Sequence, residues 1–272
     1  MFGEKNKMLK EKGYICRELL GKGAFSEVYR AEDEEGRAYA CKISSNIRLL
    51  EREAEAMRSI RHPLFPAFFG YWDYGDLGCI VMEHVPGECL ETMLRRRGAF
   101  CAGQVVRTGM ELAEGLLYLH ERGEGQLFRD VKPANIIVRQ DGRVKLLDLG
   151  CICAKGVRTD SRAGTPGFCA PEQLEERSVL TESCDVYGLG RTLEAMLGGG
   201  DRKERGLRGR QKYQRELEKL LESCTRQEAA GRIGDMRAVM AWLLELEGHS
   251  GGGWRREIQC RKNIRACTYK NT

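Results

Sequence analysis

Apolar positions fall into two regimes along the chain. Up to residue 83 they come as short runs broken by turn residues. Tyr14 to Leu20, Val28 to Ala31, Tyr39 to Lys42, Phe68 to Trp72 and Gly78 to Glu83 read as strands. Ile47 to Ile60 differs, because Leu50, Ala54 and Met57 recur at helical spacing among charges, the mark of an amphipathic helix. From residue 90 the period is mostly helical, over Leu90 to Arg97, Gln104 to Arg122, Tyr213 to Cys224 and Met236 to Leu246. The second of these carries Val105, Met110, Leu112, Ala113, Leu116, Leu117 and Leu119. Between them, Ile136 to Val138 and Val144 to Leu147 flank Asp141-Gly142, a hairpin signal. The pattern predicts an α+β chain: a small five-stranded antiparallel part with one helix, then a mostly helical part.

Composition narrows the class. At 272 residues the chain is long enough to bury a sizeable core. Lys+Arg 45 against Asp+Glu 40 leaves +5, a mild excess that does not argue for nucleic acid and permits acidic or phosphorylated partners. The 12 cysteines form neither a CxxC pair nor a His-flanked zinc spacing; the nearest two are Cys151 and Cys153, so reduced thiols are expected. The N-terminal MFGEKNKMLKEKGY lacks the apolar core of a secretory signal, and no run approaches the ~20 apolar residues of a membrane span. A cytoplasmic location is the expectation. Beyond Gly248 the chain is glycine-led and then basic, which reads as a linker and a flexible tail.

The candidate chemistry centres on Phe128-Arg129-Asp130-Val131-Lys132-Pro133-Ala134-Asn135, between a helical pattern and a strand-like run. An acid, a cation two residues on and an amide oxygen in one loop suit phosphoryl transfer, where catalysis is mostly positioning and charge stabilisation. Gly21-Lys22-Gly23-Ala24-Phe25-Ser26 lies between the first two strands. Glycines there permit a phosphate to approach the backbone, although many two-glycine hairpins simply turn. Lys42 leaves an apolar strand and by itself reads as a solvated strand end. The following helix offers Glu51, Glu53 and Glu55.

In order along the chain, the glycine loop, Lys42, Glu53, the Asp130 to Asn135 loop, Asp148-Leu149-Gly150 and the segment Gly164 to Glu172 ending Ala-Pro-Glu resemble the protein kinases. The resemblance covers roughly residues 14 to 247. It implies an extension over 1–13, an N-lobe over 14–83, a hinge over 84–87, a C-lobe over 88–247 and a basic tail over 248–272. It further implies that Gly21 to Ser26 and Val28 cover ATP, with Val28, Ala40 and Ile137 around the base and Met82, Glu83 and Val85 at the connector. The backbone groups of Glu83 and Val85 would meet the adenine edge. Lys42 would contact the phosphates and pair with Glu53, which is selected by counting back from Arg61-His62-Pro63. Asp130 would take the proton of the substrate hydroxyl, Lys132 would stabilise charge, and Asn135 and Asp148 would hold Mg²⁺. Thr165 would bond Asp130 and Lys132, Glu172 would pair with Arg232, and Asp185 would anchor the loop backbone.

Some positions depart from the family pattern. Phe128 stands in place of a histidine, Leu149 in place of the phenylalanine of Asp-Phe-Gly, and Ser26 in place of a third glycine. With Met57 above, Phe128 and Leu149 are expected to fill the same apolar column with their sizes exchanged. Gly198 to Arg210 implies a substrate platform that is shortened or partly disordered. Lys132-Pro133 resembles the serine/threonine class, and Ala-Pro-Glu-Gln resembles bacterial members. The implied function is ATP-dependent phosphorylation of protein Ser/Thr hydroxyls, with a protein substrate, ATP and Mg²⁺ as partners. A pseudokinase acting as a nucleotide-binding or scaffolding module is the alternative, motivated by Phe128 and Leu149. A small-molecule kinase fits less well, because Gly164 to Glu172 resembles an element that receives a polypeptide. Thr159 and Ser161, beside Arg158 and Arg162, are candidate phosphorylation sites that would pair with Arg129. Nothing in these residues specifies an oligomeric state.

Overall fold

The computed structural model describes residues 2–23, 25–158, 163–198 and 208–249. A five-stranded antiparallel sheet forms the N-lobe, from β1 (Ile15–Lys22), β2 (Ser26–Glu32), β3 (Ala38–Ser44), β4 (Phe68–Tyr74) and β5 (Leu77–Glu83), in the order β1-β2-β3-β5-β4. Successive side chains on a strand point to opposite faces. Ala40, Ile80 and Met82 therefore face the main core, where they meet Leu50, Ala54 and Met57 of α2 (Ile47–Ser59). Cys41, Ile43, Cys79 and Val81 face the other way. They are covered by α1 (Phe2–Glu11), whose Met8 and Leu9 are fully buried. Burial on both faces explains why the central strands read as continuous apolar runs instead of an alternation.

Residues 1–13, read from the sequence only as an extension, thus contribute a helix that completes a second core. The sequence pattern gave no periodic signal for it. α2 starts behind Asn46, whose side chain accepts from the Leu49 N–H at 3.3 Å, an N-cap bond.

The C-lobe is helical: α3 (Leu90–Arg97), α4 (Ala102–Glu121), α5 (Ser183–Leu197), α6 (Arg208–Cys224) and α7 (Met236–His249). Short strands β6 (Glu88–Cys89), β8 (Ile136–Val138) and β9 (Val144–Leu146) form one small sheet, and β7 (Gln126–Leu127) pairs with β10 (Cys153–Ala154). The lobes share one core running from Leu50 and Ile80 through Leu64 and Phe65 to Leu116 and Phe128. Gly115 on α4 makes this junction possible, since a Cβ there would lie 2.1 Å from Leu64 Cδ2. The loop after α2 is held from both sides. The Leu146 N–H donates to the Leu64 carbonyl at 2.8 Å, and the Glu83 N–H donates to the Ala67 carbonyl at 2.8 Å.

Among the described residues no helix is long and apolar enough to cross a membrane. The readings at Ala24, Thr159, Ser161, most of the 198–210 platform and the tail from residue 250 lie outside the described residues.

Candidate active site

The loop from Phe128 to Asn135 is fixed through its backbone before any side chain is considered. Arg129 adopts φ 71°, a left-handed conformation that is costly for a residue with a Cβ. Asp185, fully buried in the first turn of α5, accepts from the Phe128 N–H at 2.8 Å and from the Arg129 N–H at 2.7 Å. His120 Nε2 donates to the same carboxylate at 2.8 Å. The Arg129 carbonyl accepts from Gln173 Nε2 at 2.8 Å, and the Val131 carbonyl from Thr192 Oγ1 at 3.2 Å.

Held this way, the loop presents a hydrogen-bonded cluster. Lys132 Nζ donates to Asp130 Oδ2 at 2.7 Å and to Thr165 Oγ1 at 2.6 Å, while Thr165 Oγ1 donates to Asp130 Oδ1 at 2.8 Å. Asn135 Nδ2 donates to the Asp130 carbonyl at 3.0 Å and to Asp130 Oδ2 at 3.1 Å. The amide nitrogen of Asn135 is therefore engaged, which leaves Oδ1 as the atom that could hold a metal. The Leu147 N–H donates to the Asn135 carbonyl at 2.7 Å, so Asn135 and the residue before Asp148 are tied together.

The second cluster joins the lobes. Lys42 Nζ donates to Glu53 at 2.8 and 2.6 Å and to Asp148 Oδ1 at 2.8 Å. Glu53 is buried, whereas Glu51 and Glu55 are exposed. Burial alone would lower the Lys42 ammonium, but the Glu53 and Asp148 carboxylates outweigh it and hold it above its ordinary value. Burial alone would raise Asp148, yet Lys42 draws it below the usual range. Both groups are thus charged at neutral pH. Asp148 has φ 65° and a side chain 47 % exposed. Burial, with Asp130 and Asp148 nearby, pushes the Cys151 thiol up to about 11, so it remains protonated beside the acids.

Around this centre, Gly21, Lys22, Gly23 and Phe25 are exposed at the β1–β2 turn, which is shorter than the sequence reading because β1 continues through Lys22. The turn is closed by the Gly23 N–H donating to the Ser26 carbonyl at 2.8 Å, and Ser44 Oγ donates to the Phe25 carbonyl at 2.7 Å. Val28, Ala40 and Met82 belong to the main core or pack against it. Ile137 and Val85 are half-buried. Glu83 accepts from Lys145 Nζ at 2.7 Å and from the Ala67 N–H at 3.1 Å. Phe128, Leu149 and Met57 are all buried in the main core, with the Phe65 and Phe128 rings 6.3 Å apart. Glu172 pairs with Arg232 at 2.6 and 3.1 Å.

Three residues with clear structural roles escaped the sequence reading: His120 on Asp185, Gln173 on Arg129, and Lys145 on Glu83. Each acts on a partner more than 40 residues away in the chain, where periodicity carries no information. For Gln173 a signal did exist, since it directly follows Ala-Pro-Glu.

Chemically, the arrangement offers a positioned carboxylate, two cations and the oxygens of Asn135 and Asp148. Among the described residues no group of three His, Cys, Asp or Glu could hold a metal. One amide and one carboxylate oxygen suit a hard cation such as Mg²⁺, which binds through few protein ligands and completes its shell with water and phosphate.

Residues 14–242 match the family model described as protein kinase domain. Cytokinesis protein sepH of Aspergillus niger is 32% identical over 197 residues, covering 69% of this chain and 14% of that protein. Cell division control protein 7 of Schizosaccharomyces pombe is 30% identical over 191 residues, 67% of this chain and 18% of that protein. RAC-beta serine/threonine-protein kinase of Mus musculus is 31% identical over 194 residues, 66% of this chain and 40% of that protein. The chain thus spans well under half the length of each of these relatives. With the family model matched over most of its length, the chain belongs to the protein kinase family.

Proposed function

We propose that this chain is an active, ATP-dependent serine/threonine protein kinase. The observation that carries the reading is Lys42 bonded at once to Glu53 and Asp148. Phosphoryl transfer in kinases needs the lysine–glutamate pair and the metal-binding aspartate in place together.

In this reading ATP lies beneath Gly21 to Val28, with Ala40, Met82, Glu83, Val85 and Ile137 around the base. Lys42 orients the phosphates. Asn135 and Asp148 would hold Mg²⁺, which when bound neutralises charge on the phosphate oxygens. Asp130 accepts the proton of a substrate hydroxyl, oriented by Thr165 and Asn135, while Lys132 balances charge on the transferring group. Phe128 and Leu149 are apolar and buried, so these substitutions take no charged group away from the phosphates. The Lys132–Thr165 bond supports a Ser/Thr acceptor, and the Gly164 to Glu172 segment supports a polypeptide substrate. The free thiols of all cysteines among the described residues support a reducing compartment, and we place the protein in the cytoplasm.

The test is phosphate transfer from labelled ATP with Mg²⁺ to the protein itself and to a generic basic substrate, followed by phosphoamino-acid analysis. Phosphoserine or phosphothreonine is expected, lost in Lys42→Met and Asp148→Asn variants that stay folded. Nucleotide binding without transfer would favour the pseudokinase reading instead.

A further inference from the structure

The geometry points to Lys5, on the helix that precedes the matched kinase domain, as a positioning residue that frees Lys22 of the glycine loop to meet a phosphate. The inference rests on the reading of the β1–β2 turn as the cover of ATP.

α1 cannot drift from the sheet, because Met8 and Leu9 are fully buried against Tyr29, Ala31, Cys41, Ile43, Cys79 and Val81. Its Lys5 Nζ donates to Glu27 Oε2 and lies 5.9 Å from the Tyr29 ring centroid. Glu27 is the second residue of β2, directly opposite Lys22 in the β1–β2 register. Lys22 Nζ is 3.1 Å from Glu27 Oε1, and Tyr29 Oη donates to Glu27 Oε2 at 2.5 Å. One carboxylate at the foot of the loop is therefore shared between a cation fixed by α1 and a cation on the loop itself.

The two cations differ in freedom. The Lys5 side chain is 14 % exposed and the Lys22 side chain 70 %. Lys22 is thus the partner able to move. A polyphosphate beneath the loop competes with Glu27 for Lys22. If Lys22 were the only cation on Glu27, moving it would leave a carboxylate 18 % exposed without a counter-charge. Lys5 and Tyr29 remain on Oε2, so the exchange costs little. The carboxyl of Glu27 is held at about 2, with Lys5 the largest cause, which fits an acid whose charge is satisfied from the helix side.

Calorimetric titration of the full chain with Mg-ADP and with adenosine tests this. Lys5→Met should weaken ADP binding roughly three- to tenfold, the range of a partly buried ion pair, and leave adenosine binding unchanged, since adenosine has no phosphate for Lys22. Adding Glu27→Gln to Lys5→Met should restore ADP affinity, because no carboxylate is left to retain Lys22. A purely structural role for α1 would weaken both ligands together and would not be rescued. Equal losses for the two ligands, no loss for ADP, or a failed rescue would each overturn the inference while leaving the ATP reading intact. A wild-type chain that binds neither ligand would overturn the ATP reading, and this inference with it.

Discussion

The backbone N–H of Arg129 donates to Asp185 Oδ1 at 2.7 Å, and this bond restrains a residue at φ 71°. The left-handed turn places Asp130 between Lys132, Thr165 and Asn135. Asp185 is thus a condition for the candidate catalytic geometry, although it stands 55 residues later in the chain.

Asp185→Ala should remove the acceptor for two buried N–H groups and for His120. A buried donor left unmet costs about 1–3 kcal/mol, so a loss of roughly 3 kcal/mol or more is expected, together with loss of phosphate transfer. Asp185→Asn keeps one acceptor oxygen and should fall between. Denaturant unfolding followed by tryptophan fluorescence measures this; an alanine variant with an unchanged midpoint would contradict it.

Acid should act on the foot of the glycine loop. The Glu27 carboxyl titrates at about 2 in the fold, against an ordinary 4.5, because Lys5, then Tyr29 and Lys22, bond its charged form. The folded value lies below the unfolded one. Its contribution to stability is therefore present above 4.5 and is lost as pH falls from there to about 2. Glu27→Gln should lower the neutral plateau and flatten this part of the profile. Thermal melts across the acid range would show it, and equal acid slopes for variant and wild type would reject it.

Phe128→His restores the family's usual residue but should lower stability. The position is fully buried and its ring neighbours Phe65 at 6.3 Å. An imidazole there trades apolar contact for a polar group in the core, with an expected cost of about 1–3 kcal/mol. The paired exchange Phe128→His with Leu149→Phe should recover part of that cost, because the column volume is then kept. Comparing unfolding free energies of the two variants decides the matter; additive losses would show that the two positions do not share a column.

Much of the fold was legible because its signals are local. The bounds of α3 and β8 coincide with the sequence reading, and those of α2 and α7 differ by a few residues at one end. The central strands stood out because burial on both faces makes them continuously apolar. α1 did not, since among its described side chains only Met8 and Leu9, adjacent in sequence, are fully buried, and two neighbours show no period. At the site, the motif residues could be named from order and spacing. Which of three glutamates meets Lys42 follows from the facing of α2, since Glu53 is buried with Ala54 and Met57. The supports His120 and Lys145 depend on tertiary proximity alone and had no local signature to read, whereas Gln173 was marked only by its place directly after Ala-Pro-Glu.

The outer face of the N-lobe sheet also bears on how the protein can be handled. A version trimmed to the matched domain, beginning at residue 14, would retain every motif residue yet uncover Tyr29, Ala31, Cys41, Ile43, Cys79 and Val81 together. That contiguous apolar surface, with two buried thiols brought to the solvent, would make the trimmed protein prone to self-association and oxidation. Its poor solubility would then be mistaken for a defect of the catalytic machinery.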